Sequence, residues 1–117
     1  MSAAESVDVR TQGDVVIASL GGEIDLSNAR AIGSVVSEAV PNDAAGLVLD
    51  LTGVTYLDSS GVHLVFDLAQ RLGDRQQRLV LAVQEGSKIR RVLDLVNVEA
   101  VVPIALTADD GVTAARG

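Results

Sequence analysis

The chain has 117 residues, a formal net charge of −7 and no cysteine. This length suffices for one domain with a buried core, and the lack of cysteine excludes disulfides, thiolate metal sites and thiol nucleophiles. The few basic residues are scattered along an acidic chain, so no stripe of positive charge indicates nucleic-acid binding.

The apolar residues, 48% of the chain, are almost all Val, Leu, Ile and Ala, which is typical of buried parallel strands faced by helices. No segment approaches the length of a membrane span, and residues 1–5 lack the basic start and apolar stretch of a secretory signal. We therefore expect a cytoplasmic protein with no direct membrane insertion.

A hairpin is predicted at the start of the chain. Residues 7–11 alternate apolar with polar side chains, and residues 15–20 form a mostly apolar strand that is expected to end at Gly21 and Gly22. The Gly13-Asp14 dipeptide between the two runs predicts the turn.

A helix and a buried strand follow. Ser27 is expected to cap a helix whose apolar residues repeat at helical spacing, and Pro41 ends it. The continuous apolar run 46–51 predicts a central strand that is buried on both faces.

The second half of the chain repeats this alternation. A second helix follows Ser59 and Ser60 and closes at Gly73, and a strand is predicted at 79–83. A third helix begins near Ser87, and residues 101–106 form a last short strand at which Pro103 indicates a sheet edge.

Strands alternating with helices predict an α/β fold with a mixed, mostly parallel sheet of about five strands and about four helices. We expect one domain over residues 1–117 with a core at roughly 7–110. Residues 1–6 and roughly the last ten are expected to fray.

The candidate functional segment is 54–62, between the central strand and the second helix, where open α/β sheets place their sites. A helix N-terminus exposes unpaired amides and a positive dipole end, so a phosphate is tolerated there. The simpler interpretation is that Ser59 and Ser60 only cap the helix, with Ser60 the better placed of the two.

Enzymatic alternatives receive little support from the sequence. Ser59 and His63 lie four residues apart, but a Gly-x-Ser-x-Gly elbow and a second histidine are missing. Asp50 could suggest a phosphoacceptor receiver, yet the acidic pair that holds magnesium is missing, and Asp50 is better explained as a strand-end residue that binds nearby amides. Gly21-Gly22 fits no nucleotide-binding pattern. We predict no enzyme, no catalytic residue, no metal site and no cofactor.

A small basic patch is predicted on the third helix. It consists of Lys88, Arg90 and Arg91, and a solvent-facing surface is the simplest explanation of it. Docking of an acidic partner is the alternative.

Three segments together resemble the STAS family of bacterial anti-sigma-factor antagonists. They are Gly22-Glu23-Ile24-Asp25, Leu49-Asp50-Leu51 and Leu57-Asp58-Ser59-Ser60-Gly61-Val62. Their order and separation match that family over roughly residues 7–110. His63 departs from the pattern, since small residues are usual in this family's turn.

The resemblance implies a switch at Ser59, the serine that follows the aspartate. In that family an anti-sigma factor with serine kinase activity phosphorylates this serine. The unphosphorylated form binds the anti-sigma factor and releases the sigma factor, and a PP2C-type phosphatase restores binding. The implied partner-binding residues are Glu23, Asp25, Asp58, Ser59, Ser60, Gly61 and His63.

The charge of the segment is compatible with such a switch. A phosphate adds about −1.5 to −2 charge to a surface that already carries Asp25 and Asp58, which would disrupt a basic partner surface. The resemblance leaves an alternative open, namely a STAS accessory subunit of a membrane lipid-transport complex or a stress-signalling scaffold. An intact phosphoacceptor beside acidic residues favours the sigma-factor pathway.

Overall fold

A mixed five-stranded sheet forms the centre of the computed structural model, which describes residues 7–116. The strand order is β1-β2-β3-β4-β5, with β1 antiparallel to β2 and the other neighbours parallel. The strands are β1 (Val7–Gln12), β2 (Val15–Ile24), β3 (Gly46–Leu57), β4 (Arg78–Ala82) and β5 (Ile104–Ala105). The helices are α1 (Ala29–Ala39), α2 (Ser59–Asp74), α3 (Lys88–Leu95) and α4 (Ala108–Arg116). The predicted α/β fold is confirmed.

Both faces of the sheet are covered, which explains the apolar runs in its inner strands. In β2, Val16 and Ala18 belong to the larger core on the side of α1, α2 and α3, whereas Val15 and Ile17 belong to the smaller core under α4. Successive side chains of a strand point to opposite faces, so a strand covered on both sides must be apolar at every position.

The two central strands are longer than predicted. β2 continues past Gly21 and Gly22 to Ile24, and β3 continues past Leu51 to Leu57. The extensions pair with each other through two register shifts, and Gly22 has a positive φ of 73° there. Pairing satisfies the backbone of both extensions, so the glycines form an irregularity within the strand and do not end it.

The C-terminal segment contradicts the prediction that the last ten residues fray. Residues 108–116 form α4, and Gly111, Val112 and Ala115 are buried in it. Gly111 lies against Val48 of β3, so the helix packs closely through small side chains. Val112 is the single large apolar residue of α4, so the sequence of this helix shows almost no amphipathic pattern. Residues 1–6, also expected to fray, lie outside the described residues.

The last helix is tied to the first hairpin by Arg116. Its guanidinium donates to the carbonyl of Gln12 at 3.1 Å and to the carboxylate of Asp14 at 3.3 Å. Both acceptors lie beside the Gly13 turn, whose positive φ of 64° suits the predicted hairpin. The end of α4 is therefore joined to the turn between β1 and β2.

Helix boundaries in the second half follow the predictions closely. Ser87 caps α3 by accepting a hydrogen bond from the amide of Arg90 at 3.1 Å, and α2 extends one residue past Gly73. The last strand is only the two residues of β5, at the edge opposite β1. Within residues 7–116, no helix is both long enough and apolar enough to cross a membrane.

Gly61 and Gly73 lie in the same helix and are predicted to respond in opposite directions to alanine. A Cβ at Gly61 would clash with Cδ1 of Leu57 and lie 3.2 Å from Cγ2 of Ile24, whereas one at Gly73 meets nothing within 4 Å. Overpacking makes Gly61→Ala less stable by about 1–3 kcal/mol, and Gly73→Ala gains up to about 1 kcal/mol from helix propensity. Denaturant unfolding measures both; equal effects would contradict the packing of α2 on the sheet.

Candidate functional site

Asp25 and Asp58 leave the sheet side by side at the carboxyl ends of β2 and β3. Ile24 and Leu57 are partners in the parallel register, and the amide of Asp58 donates to the carbonyl of Ile24 at 3.3 Å. The next residue of each strand is an aspartate. Neighbouring parallel strands therefore bring together two aspartate residues that are 33 positions apart in the sequence.

Asp58, and neither serine, caps α2. Its Oδ1 accepts hydrogen bonds from the amides of Ser60 at 2.8 Å and Gly61 at 3.3 Å, while its backbone is extended. A side-chain cap of this kind contributes about 1 kcal/mol to helix stability. The expectation that Ser60 caps the helix is wrong, because the helix begins at Ser59 and its cap is Asp58, two residues before Ser60.

The two serines differ in accessibility. Ser59 is exposed at the first position of α2, and Ser60 is half-buried at the second. Since Asp58 already occupies the amides of Ser60 and Gly61, neither hydroxyl is required to cap the helix. The hydroxyl of Ser59 is therefore presented to solvent and not committed to the fold.

Asp25 organises the loop between β2 and α1. Its Oδ1 accepts hydrogen bonds from the hydroxyl of Ser27 at 2.5 Å and from the amide of Ser27 at 2.9 Å. These two bonds, the hydroxyl first, hold the pKa of the Asp25 carboxyl below its ordinary value, against a small opposing effect of burial. Asp25 is thus held as a carboxylate. Ser27 was expected to cap α1, but its side chain binds Asp25 and does not cap the helix.

Asn28 closes the same loop and was missed in the sequence. Its Oδ1 accepts from the amide of Asp25 at 3.0 Å, and its Nδ2 donates to the carbonyl of Glu23 at 2.8 Å. It is the residue before α1, although its side chain binds the loop and not the helix amides. The signal was available, because Asp-x-Ser followed by Asn is typical of side-chain turns.

The remaining predicted site residues divide between the surface and the core. Glu23 is exposed near the end of β2, opposite Tyr56 of β3. Gly61 is buried beneath the start of α2, so it can position the helix but presents no side chain to a partner. His63 is exposed on α2, one turn beyond Ser60.

A groove runs between α1 and α2 and ends at this site; we call it the α1–α2 groove. Its volume is about 960 Å³. Ser60 and His63 line it, together with residues that the sequence did not predict to belong to a site. They are Leu26, Ser27, Ala29, Arg30, Ala31, Gly33, Ser34, Leu64, Asp67, Leu68 and Arg71. Only tertiary packing brings the two helices together, so spacing in the sequence could not reveal the groove.

Asp50 lies within β3 and not at its end. As predicted, it binds a nearby amide: its Oδ1 accepts from the amide of Thr52 at 3.0 Å, and its Oδ2 accepts from the hydroxyl of Ser19 at 3.2 Å. Between Val7 and Arg116, no three His, Asp or Glu side chains are grouped so that they could hold a metal ion.

The predicted basic patch on α3 is only partly free. Arg90 pairs with Asp94 at 2.9 Å and with Glu99 at 2.5 Å, which removes its charge from the patch. Lys88 and Arg91 are exposed, in keeping with a solvent-facing surface.

Comparison with known proteins gives consistent matches along almost the whole chain. The family model of the STAS domain matches residues 6–111. The anti-sigma-F factor antagonist RsfB of Mycobacterium tuberculosis is 32% identical over 119 residues, which covers 100% of this chain and 96% of RsfB. An anti-sigma factor antagonist from Mycobacterium paratuberculosis has a similar crystal structure, with a TM-score of 0.84, 28% identity and 100% coverage of both chains. Unphosphorylated SpoIIAA shares the fold, with a TM-score of 0.70, 20% identity and coverage of 95% of this chain and 98% of SpoIIAA.

The titration of Asp25 should depend on Ser27. The pKa of the carboxyl is expected below the ordinary aspartate value, and Ser27→Ala should raise it by removing the stronger hydrogen bond. A depressed folded-state pKa adds stability above the unfolded pKa, and this stability is lost as the pH falls through the folded pKa. Carboxyl-carbon NMR titration measures the shift. Ser34→Ala removes an exposed hydroxyl elsewhere on the groove and is the control; an unchanged pKa in Ser27→Ala would contradict this account.

Proposed function

Because the chain belongs to the STAS domain family, we propose that it is an anti-sigma factor antagonist controlled by phosphorylation of Ser59. The observation that carries the proposal is the exposed hydroxyl of Ser59 at the start of a helix that Asp58 already caps. The full-length likeness to anti-sigma factor antagonists supports the partner class. We propose that the chain acts as one domain in the cytoplasm.

In the unphosphorylated form, the carboxyl ends of β2 and β3 offer a fixed acidic surface to the anti-sigma factor. Asp25 is held ionised by Ser27, and Asp58 is held by the first turn of α2. Glu23 lies near the same end of β2, and its backbone carbonyl accepts a hydrogen bond from Nδ2 of Asn28. A basic surface on the anti-sigma factor would complement these carboxylates, and binding there would release the sigma factor.

Phosphorylation would change this surface without unfolding it. We propose that the anti-sigma factor is itself a serine kinase and that a PP2C-type phosphatase reverses the modification. A phosphate on Ser59 adds about −1.5 to −2 charge next to Asp58. The dipole of α2 tolerates this charge in the free protein. A partner that is complementary to the unmodified surface would then face the unpaired negative charge of the phosphate at Ser59.

Gly61 and His63 have different parts in this proposal. Gly61 lets α2 approach Ile24 and Leu57, so it positions Ser59 without touching the partner. His63 is exposed one helical turn along α2 from the switch, where it can contact whatever binds there. We therefore assign His63 to partner choice and Gly61 to the geometry of the turn.

Incubation with ATP and the cognate anti-sigma kinase should place phosphate on Ser59. Ser60 is half-buried at the end of the α1–α2 groove, so its hydroxyl is less accessible to a second active site. Mass spectrometry of the digested protein locates the phosphate, with Ser59→Ala and Ser60→Ala as matched variants. Phosphate found only on Ser60 would contradict the assignment.

Ser59→Asp should fold like the parent but bind the anti-sigma factor more weakly. A charge at an exposed helix N-terminus gains about 0.3–1 kcal/mol from the dipole, and repulsion from Asp58 offsets it, so thermal melts should change little. An uncompensated charge in the interface should cost about 2–5 kcal/mol of binding.

Calorimetry measures the affinity of each variant for the anti-sigma factor. Ser59→Ala should bind at least as well as the parent and not respond to the kinase. Thr113→Asp is the charge control, because it adds the same charge to an exposed position of α4, on the other face of the sheet. If Ser59→Asp binds as tightly as Ser59→Ala, charge alone is not the switch.

A further inference from the structure

The α1–α2 groove carries positive charge on an otherwise acidic protein. Arg30 of α1 and Arg71 of α2 are both exposed along it, and neither forms an ion pair within residues 7–116. By contrast, Arg90 and Arg116 are paired with carboxylates. Asp67 is the acidic residue among those lining the groove, so the lining retains a net positive charge.

One exposed apolar side chain, that of Leu26, also borders the groove. Leu26 at its edge is 83% exposed, although the core takes up most other leucines. Leu64 and Leu68 form part of the lining and are themselves buried. The exposed side chain of Leu26 therefore lies beside a groove that is floored by buried leucines and bordered by two arginines. A partner that contacts both Leu26 and the arginines needs apolar and acidic side chains.

The length of the groove suits a helical segment. Its lining on α2 extends from Ser60 to Arg71, eleven residues along the helix. At 1.5 Å per residue this is about 16 Å, or three helical turns. Two neighbouring helices form the walls, and a third helix lying between them would place one apolar face on the floor.

We propose that the α1–α2 groove binds an amphipathic helix of the anti-sigma factor that carries acidic residues beside its apolar face. This inference rests on the proposed function and names the chemistry of a second contact. Acidic residues on that helix pair with Arg30 and Arg71, and an apolar residue covers Leu26. The groove ends at Ser60, so a helix bound there directs the rest of the partner towards Ser59.

The two contacts have opposite polarity. The carboxyl ends of β2 and β3 present Asp25 and Asp58 to basic groups of the partner, whereas the groove presents arginines to its acidic groups. A partner can satisfy both only in one orientation, because like charges meet when it is reversed. The groove therefore determines which anti-sigma factor is bound and in which direction, and the state of Ser59 determines whether it remains bound.

The experiment measures the affinity of the full-length protein for each purified anti-sigma factor from the same genome by calorimetry. The double variant Arg30→Glu/Arg71→Glu should bind its factor at least about tenfold more weakly, because like charges then face the acidic helix. The matched control is Arg78→Glu/Arg91→Glu, which makes the same change of net charge at exposed positions outside the groove and should bind like the parent. Leu26→Ser should also weaken binding while melting like the parent, because this side chain is already exposed.

The outcomes distinguish a failure of the groove inference from a failure of the proposed function. If the parent binds none of the anti-sigma factors, the proposed function fails and the groove inference fails with it. If the parent binds and Arg30→Glu/Arg71→Glu binds equally well, only the groove inference is overturned; an equal loss in the control also overturns it, since net charge would then explain both. Sedimentation tests a second copy as the occupant: a dimer dispersed by Arg30→Glu/Arg71→Glu would overturn the assignment to the anti-sigma factor.

Discussion

The pairing of the long ends of β2 and β3 is the constraint on which the candidate site depends. Ile24 and Leu57 are the last partners in this register, and the amide of Asp58 extends it by binding the carbonyl of Ile24. A shift of one residue would send every side chain of one strand to the other face and move one aspartate away from the other. The acidic pair, the cap of α2 and the position of Ser59 all follow from this register.

In the candidate site, the residues that stabilise the fold are distinct from the serine that we propose to be phosphorylated. Asp58 stabilises the first turn of α2, and Gly61 allows the helix to contact the sheet. Ser59 lies between them in the sequence but has neither task. Under the proposed function, a serine that makes no contact needed by the fold could gain or lose a phosphate while the surrounding backbone stays in place. For this reason the switch is expected to act on the surface charge and not on the stability of the fold.

The elements with strong apolar periodicity were predictable from the sequence. The run 46–51, the stripe of α2 and the Ser87 cap were identified because burial and capping leave clear patterns at these positions. The ends of β2 and β3 were not predictable, because in the sequence the glycines of a paired but irregular strand look the same as those of a turn. The cap of α2 was misassigned because aspartate and serine are both good caps. Only the length of β3 determines which of them precedes the helix.

The remaining differences come from long-range packing. α4 has small residues where most helices have an apolar stripe, because Gly111 lies directly against Val48. The α1–α2 groove exists only where two separate crossover helices meet. At the site, the motif 57–62 was visible in the sequence, whereas the contacts of Ser27 and Asn28 with the Asp25 loop needed the structure.

The clasp between Arg116 and the first hairpin has a consequence for the order of folding. It joins residues 102 positions apart, from Asp14 to Arg116, so the smaller core under α4 can close only after nearly all of the described chain has left the ribosome. Contacts of such sequence separation form late, because loop closure must precede them. Until then, Val15, Ile17 and Val48 lack the cover of α4. The face of the sheet under α4 is therefore expected to be covered last during folding.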